Sequence, residues 1–116
     1  MEDFTKENPI DLEFLKSVID DDVEFQKELF AIFIENANRN LEKMEDALKS
    51  SNNNSWYMAS HAFKGASASI GAMKLAGILE HAQKFPEEAL EQKASIISQV
   101  KEELALVVEF LQKISK

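Results

Sequence analysis

Residues 59–72 read Ala59-Ser60-His61-Ala62-Phe63-Lys64-Gly65-Ala66-Ser67-Ala68-Ser69-Ile70-Gly71-Ala72. The stretch is alanine-rich, free of proline, and broken by glycine only at 65 and 71. That predicts a helix over about 55–70, closed by Gly71 in the position after the C-cap, with Asn54 or Ser55 as N-cap. At about 100° per residue, Tyr57, Lys64, Gly65 and Ala68 fall within about 60° of His61. Ala59, Phe63, Ala66 and Ile70 lie on the opposite side and form the apolar face. His61 is therefore expected to point outward.

The surroundings of that histidine are unusual for a solvated helix face. Long charged residues normally occupy such positions, yet Gly65 and Ala68 flank His61. A glycine inside a helix costs about 1 kcal/mol relative to alanine. Placed one turn from an outward histidine, it suggests that another molecule must come close to the backbone. Lys64 sets a positive charge beside the imidazole, an arrangement suited to an anion such as a phosphoryl group. A lone histidine on a helix usually has no special role, and Lys64 could be an ordinary solvated lysine. The conjunction at these offsets argues against both bland readings.

Working outward, the rest of the chain also reads as helix. Ile10, Leu12, Phe14, Leu15, Val18 and Ile19 mark a short first helix near 11–20, with Asp11 or Asn8 as cap. Asp21 followed by Glu24 resembles a capping box that opens a long helix over 23–49. Its stripe is Phe30, Phe33/Ile34, Ala37, Leu41, Met44 and Leu48. Ser50-Ser51-Asn52-Asn53-Asn54 is a loop of turn formers. A helix over 73–84 ends at Phe85-Pro86, and a last one over 87–114 carries Leu90, Ala94, Ile97, Val100/Lys101, Leu104, Val107/Val108, Leu111 and Ile114. The expected core includes Phe30, Phe33, Leu41, Phe63, Ile70, Leu79, Ile97, Leu104 and Leu111. No segment alternates with period 2. The expected fold is all-α: an antiparallel up-down four-helix bundle with a short N-terminal lid helix. Residues 1–9 are expected to be a flexible segment, and 10–116 one domain.

Composition narrows the function. The chain has 116 residues, 45% of them hydrophobic, enough for one core. It has no cysteine, so disulfides, thiolate metal sites and a cysteine nucleophile are excluded. The net charge is −8, from 21 acidic against 13 basic residues, and Arg39 is the single arginine. A nucleic-acid binder needs a basic surface, so neither nucleic acid nor an anionic membrane is expected as a partner. No apolar run approaches the ~20 residues that span a bilayer. The polar, acidic N-terminus is unlike a secretory signal, and a cytoplasmic location is expected. Phosphate-binding, dinucleotide-binding, nucleophile-elbow and HExxH motifs are absent. The two histidines, His61 and His81, are twenty residues apart, and neither has a glutamate three positions before it, so no metal site and no cofactor is expected.

The segment His61 to Glu80, HAFKGASASIGAMKLAGILE, resembles the histidine-containing phosphotransfer (HPt) family. The pattern there is His-x-x-Lys-Gly, small residues, then Gly-Ala-x-x-Leu, and His61, Lys64, Gly65, Gly71, Ala72 and Leu75 match it. Ile10-Asp11, Phe33 and Ala47-Leu48 extend the likeness, which covers about residues 10–85. The resemblance implies a phosphorelay intermediate that is not an enzyme by itself. His61 would accept a phosphoryl group at Nε2 from a receiver-domain aspartate or a kinase and pass it to another receiver. Lys64 would help neutralise the phosphate, and Gln83, 22 residues after His61, sits where some relatives carry a glutamine near the imidazole. Tyr57, Gly65 and Ala68 would take part in docking. The implied partners are receiver domains and a sensor kinase of the hybrid type, which would meet a monomer. The receiver would supply the divalent metal. A free imidazole, with a pKa of about 6.5, is largely neutral and nucleophilic near pH 7. His81 lacks a downstream Lys-Gly and is read as structural or solvent-exposed. The alternatives are an HPt-like module that binds a receiver or kinase without being phosphorylated, and a small structural bundle with an accidental motif.

Overall fold

A computed structural model describes residues 8–115; residues 1–7, most of the expected flexible segment, and residue 116 lie outside it. Of the described residues 83% are helical, with no strand among them. The helices are α1 (Leu12–Ile19), α2 (Val23–Ser50), α3 (Asn53–Ser69), α4 (Met73–Lys84) and α5 (Leu90–Ile114). Each of α2 to α5 packs on two neighbours, in the cyclic order α2, α3, α4, α5, and α1 leans on α2. This is the expected up-down bundle with a lid. No described helix is long and apolar enough to cross a membrane.

The helix boundaries follow from side-chain caps. Asp11 caps α1 by accepting the Phe14 N–H at 3.1 Å. The cap of α2 is Asp22, which accepts the Phe25 N–H at 2.9 Å, so the expected Asp21–Glu24 box does not form: the cap lies one residue later and faces Phe25, which has no carboxylate to reciprocate. Asn52 caps α3 by accepting the Ser55 N–H at 2.9 Å; the helix therefore starts at Asn53, earlier than the expected Asn54 or Ser55 cap. Its far end is a Schellman turn. Ala72 N–H donates to Ser67 O at 2.9 Å and Gly71 N–H to Ala68 O at 3.0 Å. Gly71 takes φ +83°, a left-handed conformation that disfavours any side chain. A Cβ there would also meet Asp11 O and Phe14 Cδ2, each at 3.1 Å. The Asp11 N–H donates to Gly71 O at 2.8 Å, which ties the lid helix to the α3–α4 turn.

The core contains every expected residue except Leu41, which is half-buried beside the α2–α5 groove. Two larger side chains enter it as well. Trp56 is completely buried and its indole N–H donates to Ala82 O at 3.0 Å. Lys93 is 2% exposed. The start of α5 differs from expectation for this reason. Residues 86–89 form a turn, the helix begins at Leu90, and both Leu90 and Ala94 face solvent. Lys93 takes the inward position because its amine finds Asn53 Oδ1 at 2.7 Å and lies over the Trp56 ring, 5.1 Å from its centroid. Burial lowers the Lys93 pKa from the usual lysine value, against the opposing pull of Glu88 and Glu87.

Candidate functional site

The outward face of α3 is as the wheel places it. His61 and Tyr57 are exposed, whereas Phe63, half a turn round, is completely buried. Lys64 and Ala68 are half-buried, and Gly65 is exposed with open space where a Cβ would stand. The His61 imidazole makes no hydrogen bond and no ion pair within the described residues. Its ring partner is Tyr57, stacked at 6.1 Å between centroids with planes 12° apart. No carboxylate lies within 4.0 Å of the Lys64 amine in the described structure, so its charge is not spent on an internal pair.

The geometry thus brings Tyr57, His61, Lys64, Gly65 and Ala68 to one side of one helix. Gln83 is different. It lies near the end of α4, half-buried, and its Oε1 is shielded from solvent with no hydrogen-bond partner in the described structure. No hydrogen bond joins it to His61.

The helix that carries this face is held from both ends of its inner surface. Trp56 fastens it to α4 through Ala82 O, next to Gln83. Phe63 and Ile70 seat it in the core, and the Schellman turn fixes its C-terminus. A backbone held this firmly limits the motion of His61 to its side-chain torsions.

His81 is a useful contrast. Its Nε2 lies 3.1 Å from Glu88 Oε2, and its ring packs against Phe85 with centroids 4.8 Å apart. That histidine is exposed yet tethered by its own α4–α5 turn, in line with its reading as structural or solvent-exposed. Among the described residues no group of three or more metal-ligating side chains converges.

One electrostatic feature of the site is legible in the sequence once the structure locates it. All 21 acidic residues lie outside residues 47–79, a stretch that contains Lys49, Lys64 and Lys74. Helix α3 is therefore devoid of carboxylates in a strongly acidic chain, and Lys64 is the single charged side chain on it.

The described residues thus form an all-helical bundle that presents a histidine, a lysine and a glycine gap on one helix face. The sequence matches the family model of the Hpt domain over residues 28–110, and the chain belongs to that family. Domains of this family are phosphotransfer carriers of two-component phosphorelays that work with receiver domains and histidine kinases. The fold is similar to the crystal structure of histidine-containing phosphotransfer protein B (HptB) from Pseudomonas aeruginosa PAO1. The TM-score is 0.85 at 22% sequence identity, with 91% of this chain and 93% of that chain covered. Comparison with curated proteins returns no match.

Proposed function

We propose that this chain carries a phosphoryl group on Nε2 of His61, receiving it from a receiver-domain aspartate or a kinase and delivering it to a second receiver aspartate. The observation that carries this reading is the imidazole: exposed and, among the described residues, without a hydrogen bond, beside a Lys64 that has no ion pair there and an unfilled gap at Gly65. In the forward step the Nε2 lone pair forms the N–P bond as the P–O bond of the aspartyl phosphate breaks, and the electron pair leaves on the aspartate carboxylate. The reverse step regenerates the neutral ring. Such a transfer is mostly a matter of positioning and charge. Lys64 supports the phosphoryl oxygens, Gly65 and Ala68 admit the partner's loops, and Tyr57 borders the docking face. Gln83 contributes its amide to the phosphoryl environment when its side chain turns outward. The chain works as a monomeric, cytoplasmic carrier, and the sensor kinase upstream is a hybrid with its own receiver.

The test is incubation with phosphorylated receiver domains from the same cell. Wild-type protein should gain phosphate that is labile to acid and stable to alkali. His61→Gln should fold normally, because an exposed imidazole packs against little, and gain none. Phosphate retained by that variant would move the site to His81 and overturn the assignment. Receiver binding without any transfer would instead identify a pure interaction module.

A further inference from the structure

The imidazole of His61 is bounded differently on its two sides. Side chains on an α-helix lean toward the N-terminus, so the imidazole lies back over the turn that begins at Tyr57. There it meets a flat partner: the phenol ring stacks on it, nearly parallel, with centroids 6.1 Å apart. On the C-terminal side the residue that would lean over His61 in the same way is number 65, and it is glycine, with nothing within 4 Å of a Cβ position. One face of the ring is backed and the other is open.

We infer that Tyr57 is a positioning residue for His61: its ring backs the imidazole and holds it in the rotamer that presents its edge to an incoming phosphoryl donor. This rests on the reading of His61 as the phosphoacceptor and adds a role for Tyr57 that docking alone does not contain. An exposed histidine on a helix samples several rotamers, and each turnover must select the productive one. A ring fixed at i−4 removes part of that search before the donor arrives. The stack uses the aromatic face and not the hydroxyl, since no hydrogen bond from the Tyr57 phenol is present in the described structure. Trp56, immediately before it, is completely buried and bonded to Ala82 O, so the backbone under Tyr57 is anchored.

A small phosphodonor separates positioning from docking, because it has no protein surface to dock. Phosphoramidate transfers its phosphoryl group to an imidazole nitrogen as its P–N bond breaks and ammonia leaves. Uptake at His61 is followed by NMR of the imidazole resonances, for wild type and for Tyr57→Phe, Tyr57→Ala and His61→Gln, with thermal unfolding of each as a control. Tyr57→Phe should match wild type. Tyr57→Ala should slow uptake roughly three- to tenfold while its unfolding temperature stays within a few degrees, and it should lose the ring-current shift on the His61 carbon-bound protons. Uptake at His61 that is equal in Tyr57→Ala and wild type would overturn the inference and leave Tyr57 a docking residue. Slow uptake in Tyr57→Phe would also overturn it, by assigning the effect to the hydroxyl. Unchanged total uptake by His61→Gln would instead defeat the choice of His61 itself, and the two failures are distinguishable in one series.

Discussion

The indole N–H of Trp56 reaches across the bundle to the carbonyl oxygen of Ala82 at 3.0 Å, with both residues out of contact with water. Trp56 is five residues before His61 on α3, and Ala82 is one residue before Gln83 on α4. A buried polar bond of this kind is costly to leave unmade, about 1–3 kcal/mol for an orphaned group. It fixes the spacing of the two helices between the start of α3 and the end of α4, beside Gln83 and between one and two turns before His61.

Lys64 sits one turn beyond His61, with no carboxylate of the described residues to occupy it. Lys64→Ala removes a charge-assisted contact to the phosphoryl oxygens worth about 1–2 kcal/mol. Transfer from a phosphorylated receiver should slow by roughly five- to thirtyfold without stopping. Rapid-quench transfer assays read this directly, and a rate equal to wild type would remove Lys64 from the phosphoryl environment.

Gly65 gives the opposite pair of effects on stability and rate. No atom lies within 4 Å of its Cβ position, so a side chain there meets no clash and gains helix propensity. Gly65→Ala should stabilise the fold by about 0.5–1 kcal/mol in urea unfolding. Gly65→Gln should also fold, yet block transfer, because its side chain leans back over His61 and fills the approach. A Gly65→Gln protein that takes phosphate at the wild-type rate would refute the close-approach argument.

Phe63 anchors the same helix from beneath and is 0% exposed. Truncation to alanine leaves a cavity under the site, and Phe63→Ala should cost about 3–5 kcal/mol in chemical denaturation. A loss under about 1 kcal/mol would mean that α3 is not seated in the core through this ring.

Lys93 makes stability depend on pH. Its pKa is lowered by burial from the model-compound value of 10.5. Between the folded and unfolded values the unfolded chain binds more protons, so stability rises with pH across that window and the cost of burying the charge is present in full below it. Replacing the lysine by methionine removes the buried charge while keeping the stem. Lys93→Met should therefore hold or raise stability at pH 7 by up to about 1 kcal/mol. That advantage should shrink as the pH climbs toward 10, and urea midpoints measured from pH 7 to 10 check both statements. An advantage that grows with pH would show that the amine is not the group responsible.

Local information was enough for the elements and for the motif that marks the candidate site. The apolar steps of 3 and 4 in α2 and α5, the break at residues 50–54 and the glycine after α3 are properties of neighbouring residues, and they specify helices and turns without knowledge of partners. The motif His61-x-x-Lys64-Gly65 lies on one helix, so its shared face follows from the helical repeat alone. What depended on the tertiary structure was every choice made between helices. Lys93 turns inward in place of Ala94 because Asn53 and Trp56, some forty residues away, offer its amine an acceptor and an aromatic face. Trp56 becomes the pin of the bundle because Ala82 O happens to stand opposite. Gln83 is half-buried near the foot of α4 without a bond to His61, an outcome that helix packing, and not a spacing of 22 residues, decides. The caps moved by one to three residues for a related reason: several Asp and Asn side chains compete at each turn, and the one that wins is the one whose oxygen reaches a free backbone N–H in the packed chain.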